Sequence, residues 1–142
     1  MRSPAHLMSS LLPNTIAGGA TGWALFVGNM PDSPTKQVVF TDTGGMNPNP
    51  KWLLDFPTVQ ILVRGAKDSY PDTYVKAREL RDFFLGMESR DVTLELLTYR
   101  LVSITGLGDI ASLGMDQNDH PLISVNFRTI WEPPSGANRE AL

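Results

Sequence analysis

Gly106-Leu107-Gly108-Asp109-Ile110-Ala111 has the spacing of a relaxed dinucleotide fingerprint, G-x-G-x-x-A. Glycines at that spacing bind phosphate only when they open a helix whose N-terminus meets the pyrophosphate. Here the chain soon reaches Gly114 and a turn-rich stretch, leaving no length for such a helix. These residues are therefore read as a bend between strands. Asp116, Asn118 and His120 alternate like ligands of a calcium loop. Such a loop needs glycine at its sixth position and a bidentate glutamate at its twelfth, where this chain has Pro121 and Phe127. They are read as a hairpin turn, a setting Asp and Asn favour because their side chains bond nearby backbone.

His6 and His120 are the two histidines, and neither has a partner at a helical metal spacing such as H-E-x-x-H. His6 lies near Ser9 and Ser10, yet no G-x-S-x-G elbow is present. Solvated or capping roles suffice for both. Cysteine is absent, which removes thiol catalysis, disulfides and thiolate metal sites. Asp42, Asp55, Asp116 and Asp119 all sit in turn-like contexts, not as a pair in a cleft. No catalytic, cofactor-binding or metal-binding residue is expected, and no cofactor.

Two features are better candidates for contact than for catalysis. Arg64 ends an apolar strand just before Gly65. It suits either a partner for an acidic residue at the sheet edge or one half of an inter-subunit ion pair, since arginine is favoured at interfaces. Met46, Trp52, Leu53, Leu54 and Phe56 put apolar surface around Asn47-Pro48-Asn49-Pro50, which reads as a loop. That loop either folds onto its own core or buries itself in a partner.

The elements that hold these residues follow from periodicity. Ser3-Pro4 starts a short helix, with serine as cap and proline at the first helical position. Ala17 to Gly22 reads as a flexible connector without side chains to anchor a core. Trp23–Gly28 and Gln37–Thr41 read as strands, the second closed by a turn at Asp42-Thr43-Gly44-Gly45. Thr58–Arg64 is the clearest strand, with Val59, Ile61 and Val63 on one face. Asp72–Leu85 reads as the main helix. Ala77, Leu80 and Phe84 form its stripe, Asp72–Lys76 and Arg78–Asp82 pair on the wet side, and Gly86 ends it. Val92–Thr105 reads as one long or bent strand supplying Leu94, Leu96, Leu101 and Ile104 to the core. A weak strand over 109–115 and a clean one carrying Ile123, Val125, Phe127 and Thr129 complete the set.

These elements predict an α+β fold. A mixed, mostly antiparallel sheet of about five or six strands carries one main helix on one face, with a short N-terminal helix. The 142 residues suit a single domain, 1–142, in which 1–22 are helix and connector and 133–142 a loosely ordered tail. The 12 basic and 15 acidic residues give a net charge of −3, without the basic face that nonspecific nucleic-acid binding needs. The apolar run Leu7–Leu12 is short and stopped by Pro13, so a short helix or docking arm is expected, not a secretory signal. No stretch approaches a membrane span.

Three stretches, in order, resemble the tail terminator family of long-tailed bacteriophages, also called the minor capsid protein family. They are Phe26-Val27-Gly28-Asn29-Met30-Pro31-Asp32, then Thr43-Gly44-Gly45 with Pro57-Thr58-Val59-Gln60-Ile61-Leu62-Val63-Arg64-Gly65, then Leu113-Gly114-Met115-Asp116-Gln117-Asn118 with Ser124-Val125-Asn126-Phe127-Arg128. The resemblance implies a structural virion protein and no enzyme. Such proteins form a hexameric ring on the head-proximal end of the tail tube, in the neck, after assembly in the host cytoplasm. The ring stops tube polymerisation and meets the head-completion, or connector, proteins. DNA passes through its channel without sequence-specific binding, and the modest acidic balance suits a pore in which DNA slides. On this reading Arg64, the Met46–Phe56 loop and the sheet edges lie at subunit or tube contacts. Two other classes compete. One is a small α+β ligand-binding or enzymatic domain, disfavoured by the lack of a converging polar cluster. The other is an adaptor that takes a peptide by strand addition.

Overall fold

Alternation between buried and open side chains builds a seven-stranded mixed sheet in the computed structural model, which describes residues 2–49 and 54–134. In chain order the elements are α1 (Pro4–Leu11), β1 (Ala24–Val27), β2 (Gln37–Asn49), β3 (Leu54–Arg64), α2 (Tyr70–Leu85), β4 (Arg90–Leu94), β5 (Leu97–Gly106), β6 (Ala111–Met115) and β7 (Pro121–Glu132). The strands lie in the order β1-β2-β3-β7-β5-β4, and β6 also pairs with β7. Only β1 and β2 run parallel; the other pairs are antiparallel. The α+β expectation holds.

One face of the sheet carries Val38 and Phe40 of β2, Val59, Ile61 and Val63 of β3, and Ile123, Val125 and Phe127 of β7, all buried. Both helices deliver their apolar stripes to this face: Ala5, Leu7 and Met8 from α1, and Ala77, Leu80 and Phe84 from α2. Phe84 sits edge-on between Phe40 and Phe127, with ring centroids 5.8 and 5.6 Å away. Such edge-to-face contacts add stabilisation beyond the area buried. Ser3 caps α1 by accepting the His6 N–H at 3.2 Å, and Pro4 occupies the first turn.

Four expectations are corrected. First, the turn expected at Asp42–Gly45 is strand. β2 continues to Asn49 and β3 begins at Leu54, so the two form a long hairpin where a loop was read. Register shifts at Asp42/Gly45 and Met46/Asn49 absorb what a regular ladder would reject: the second bracket holds Pro48, which has no N–H to donate. Gly45 makes the crossing possible. Its φ is +117°, and a Cβ there would lie 2.7 Å from the Cα of Pro57.

Second, Val92–Thr105 is two strands, not one. Glu95 and Leu96 form a two-residue turn with φ of +52° and +66°. That backbone usually calls for Asn-Gly, so the sequence carries no signal for it. Leu96, expected in the core, is 98% exposed at the tip. Leu101 and Ile104 are buried as expected.

Third, Lys76 is not on the wet side of α2. It is buried, and its Nζ donates to the Ile16 carbonyl at 2.6 Å and to Glu79 at 3.3 Å. Fourth, the Ala17–Gly22 stretch does anchor. Ala17 is buried in the core, and the Gly18 N–H donates to the Trp23 carbonyl at 2.7 Å. The tail expected from Pro133 lies, from residue 135 on, outside the described residues.

Candidate functional site

The parallel pairing of β1 with β2 creates a local problem. Parallel neighbours need a crossover, usually a helix that satisfies its own backbone. Here residues 28–36 make the crossing without one. Their carbonyls need donors from elsewhere, and the sheet supplies them. Gln37 and Arg64 are register partners on adjacent strands, on the face opposite Val38 and Val63. Arg64 Nη2 lies 3.1, 2.9 and 3.0 Å from the carbonyl oxygens of Pro31, Asp32 and Pro34, and Nε donates to Thr35 at 3.0 Å. Gln37 Nε2 donates to Pro31 and Pro34 as well.

Arg64 is only 5% exposed, and these partners are backbone carbonyls, not a carboxylate. The guanidinium fork spreads donors over several acceptors in a fixed geometry, which a lysine could not do. Sequence reasoning singled out Arg64 but missed the loop it holds. The sequence shows only the prolines at 31 and 34; the parallel pairing that leaves the loop carbonyls in want of donors belongs to the tertiary structure.

The β2–β3 hairpin is the other feature. β1 pairs only with Gln37–Phe40, so the rest of β2 runs on beyond it. Asp42 to Pro48 are exposed along this extension, including Met46 at 60%. Thr43 and Thr58 hydroxyls bond across the hairpin at 2.7 Å. Leu54 and Phe56 are half-buried on the returning strand. Trp52 and Leu53 lie outside the described residues. The arm root is fixed from β7, where Thr129 Oγ1 donates to the Pro57 carbonyl at 2.7 Å and accepts from Trp131 Nε1 at 3.0 Å. Arg64 and the arm share β3 but sit at its opposite ends.

The motifs with chemical spacing resolve into turns. Gly106 and Gly108 line a cleft of about 290 Å³ together with Arg81, Asp109, Leu85 and Phe127. The chain then enters β6, not a helix, so the phosphate-binding geometry is missing. Arg81 is occupied, donating to Asp109 at 2.7 Å and to Asp82 at 3.0 Å. The Ile110 N–H, then the Arg81 guanidinium, hold the Asp109 carboxyl below the usual carboxylate range. Its negative charge would repel a phosphate in the same cleft.

Residues 116–120 close the β6–β7 hairpin. Asp116 Oδ1 accepts the N–H groups of Asn118 and His120, both at 2.9 Å, and Oδ2 lies 3.0 Å from His120 Nδ1. The His120 N–H is the leading cause that pulls the Asp116 pKa down. Among the described residues no group of three His, Asp or Glu side chains converges for a metal ion. Among them too, no helix is long and apolar enough to cross a membrane.

No curated protein matches the chain. The family model described as bacteriophage tail terminator protein matches residues 9–133, from the middle of α1 to just past the end of β7.

Proposed function

This chain belongs to the bacteriophage tail terminator family, a family with a structural role in the virion, and from that premise we propose that it caps the tail tube. Six copies close into a ring on the head-proximal end of the tube, in the neck. The ring ends tube polymerisation and offers its other side to the head-completion proteins. DNA passes through the channel without sequence-specific binding. The chain acts as one domain, assembled in the host cytoplasm.

The observation that carries this reading is the hairpin arm. Beyond Phe40 the β2 strand of this hairpin has β3 on one side only, while β3 stays paired with β7 as far as Asp55. Residues 44–48 stand in solvent with an exposed methionine, where an isolated subunit gains little by keeping them. A contact made by such an arm with a different surface of the next copy is heterologous. Heterologous contacts close into a ring when the rotation permits. Met46, Leu54 and Phe56 lie on the arm, and Trp52 and Leu53 belong to the same contact by their place in the chain. Arg64 contributes by holding the 31–35 loop in a fixed shape at the other end of β3.

Size-exclusion chromatography with light scattering, followed by electron microscopy with tail-tube protein, tests the proposal. Rings of six, or tubes of fixed length capped at one end, are expected. Tubes that elongate without limit in the presence of the protein would end it. Trp52→Ala with Leu53→Ala should leave the subunit folded but block rings on tubes; normal rings would assign these side chains to the subunit's own core.

A further inference from the structure

Among the described residues β1, β4 and β6 have a ladder partner on one side only along their whole length, and β2 does so beyond Phe40, where Asp42, Pro48 and two register shifts guard it. An open edge is a template for another strand, and proteins that keep an edge unpaired guard it with charges, prolines or bulges. β4 is guarded in this way, carrying Arg90 and Asp91. β1 and β6 lack that guard of charge, although β6 has a register shift between Ser112 and Gly114. β1 is Ala24-Leu25-Phe26-Val27, and β6 is Ala111-Ser112-Leu113-Gly114-Met115, with neither a charge nor a proline in either. All five residues of β6 are exposed, Leu113 at 52% and Met115 at 55%.

We propose that β6 of one copy pairs with β1 of the next, so that the sheet runs on from subunit to subunit. This rests on the ring reading above and names the strands that join it. The two edges lie at opposite sides of β2, β3 and β7, so the contact is head-to-tail and leaves each copy with one edge to give and one to receive. Their lengths match, with 4 residues in β1 and 5 in β6. β1 runs parallel to β2, whereas β6 is antiparallel to β7, which lies parallel to β2 through β3. Copies related by rotation about an axis along the strands therefore pair β6 with β1 antiparallel.

Charge supports the same register. Antiparallel pairing sets the start of β1 beside the end of β6. Lys36 stands at the start of β1, its Nζ 5.0 Å from the Trp23 ring centroid. The end of β6 runs into the turn with Asp116 and Asp119; Asp116 is engaged by the Asn118 and His120 N–H groups and by His120 Nδ1 at 3.0 Å, and Asp119 is the exposed carboxylate of the turn. A cation on one edge thus meets an acidic turn on the other. The parallel alternative would instead set Lys36 beside Asp109, whose charge Arg81 already takes. The short ladder fixes register; the hairpin arm adds area.

The chain has no cysteine, so engineered pairs report cleanly. Phe26→Cys combined with Leu113→Cys, oxidised in assembled rings, should give a ladder of linked species ending at the closed ring. Either single variant should give dimers at most. Ala24→Cys with Met115→Cys is a second pair in the same register. Closed rings in which neither pair links would overturn the edge contact and leave the ring reading standing. Absence of rings, both alone and on tubes, would overturn both. Leu113→Lys, exposed and outside the core, should keep the wild-type melting temperature and lose the ring; intact rings would refute the proposal.

Discussion

Arg64 Nη2 lies 2.9 Å from the carbonyl oxygen of Asp32, across 32 positions of sequence, and so ties the end of β3 to the loop that joins β1 to β2. The charge is buried without a carboxylate among these partners, and the carbonyl dipoles of the loop take its place.

Arg64→Ala should therefore cost about 2–4 kcal/mol, because it strands buried carbonyls as well as removing a charged donor. Arg64→Lys should fall between, keeping the charge but losing the fork. Urea denaturation of the three proteins gives the ranking. A loss below about 0.5 kcal/mol for alanine, the range of an ordinary surface substitution, would mean that the loop holds itself.

Gly44 and Gly45 provide a matched pair. Both have positive φ, +94° and +117°, but a Cβ on Gly44 meets nothing within 4 Å, whereas one on Gly45 collides with the backbone of Pro57 and Thr58. Gly44→Ala should cost about 1–2 kcal/mol from backbone strain alone. Gly45→Ala should cost clearly more and shift the arm's amide resonances, which an NMR comparison detects. Equal losses would contradict the close crossing.

Leu96 is strained and buries nothing in the subunit, being 98% exposed at φ +66°. Leu96→Gly should stabilise the isolated subunit by about 1 kcal/mol, since glycine meets no steric penalty there. Thermal unfolding at matched concentration checks the sign. A lower melting temperature would mean that the leucine side chain packs on something.

Asp116 links stability to pH. Its folded pKa is lowered, chiefly by the His120 N–H. Its contribution is thus present above the unfolded carboxylate value of about 3.9 and disappears as pH falls through the folded value. Asp116→Asn should flatten the acid limb of a melting-temperature profile below about pH 4 while leaving its shape near pH 7 unchanged. Asp109 and Glu95 are lowered too, so a residual acid limb should remain. A profile identical to wild type would remove Asp116 from the linkage.

Residue order alone determined the helix stripe at Ala77, Leu80 and Phe84, the alternating strands around Val59–Val63 and Ile123–Phe127, and the turn at Asp116–Pro121. These are local patterns: a two- or 3.6-residue repeat declares which face is buried whatever it packs on. The three resembling stretches also fall within the residues that the family model matches. What tertiary structure decided is non-local. Asn47-Pro48-Asn49 became strand because a bulge and Gly45 let β3 pass alongside, and Glu95-Leu96 took a glycine-like turn because β4 and β5 pair on each side of it. Lys76 turned inward because the Ile16 carbonyl, 60 positions away, was there to receive it, and Arg64 found its acceptors only once a parallel crossover brought them over the sheet. In each case the deciding partner is distant in sequence, and periodicity carries no record of it.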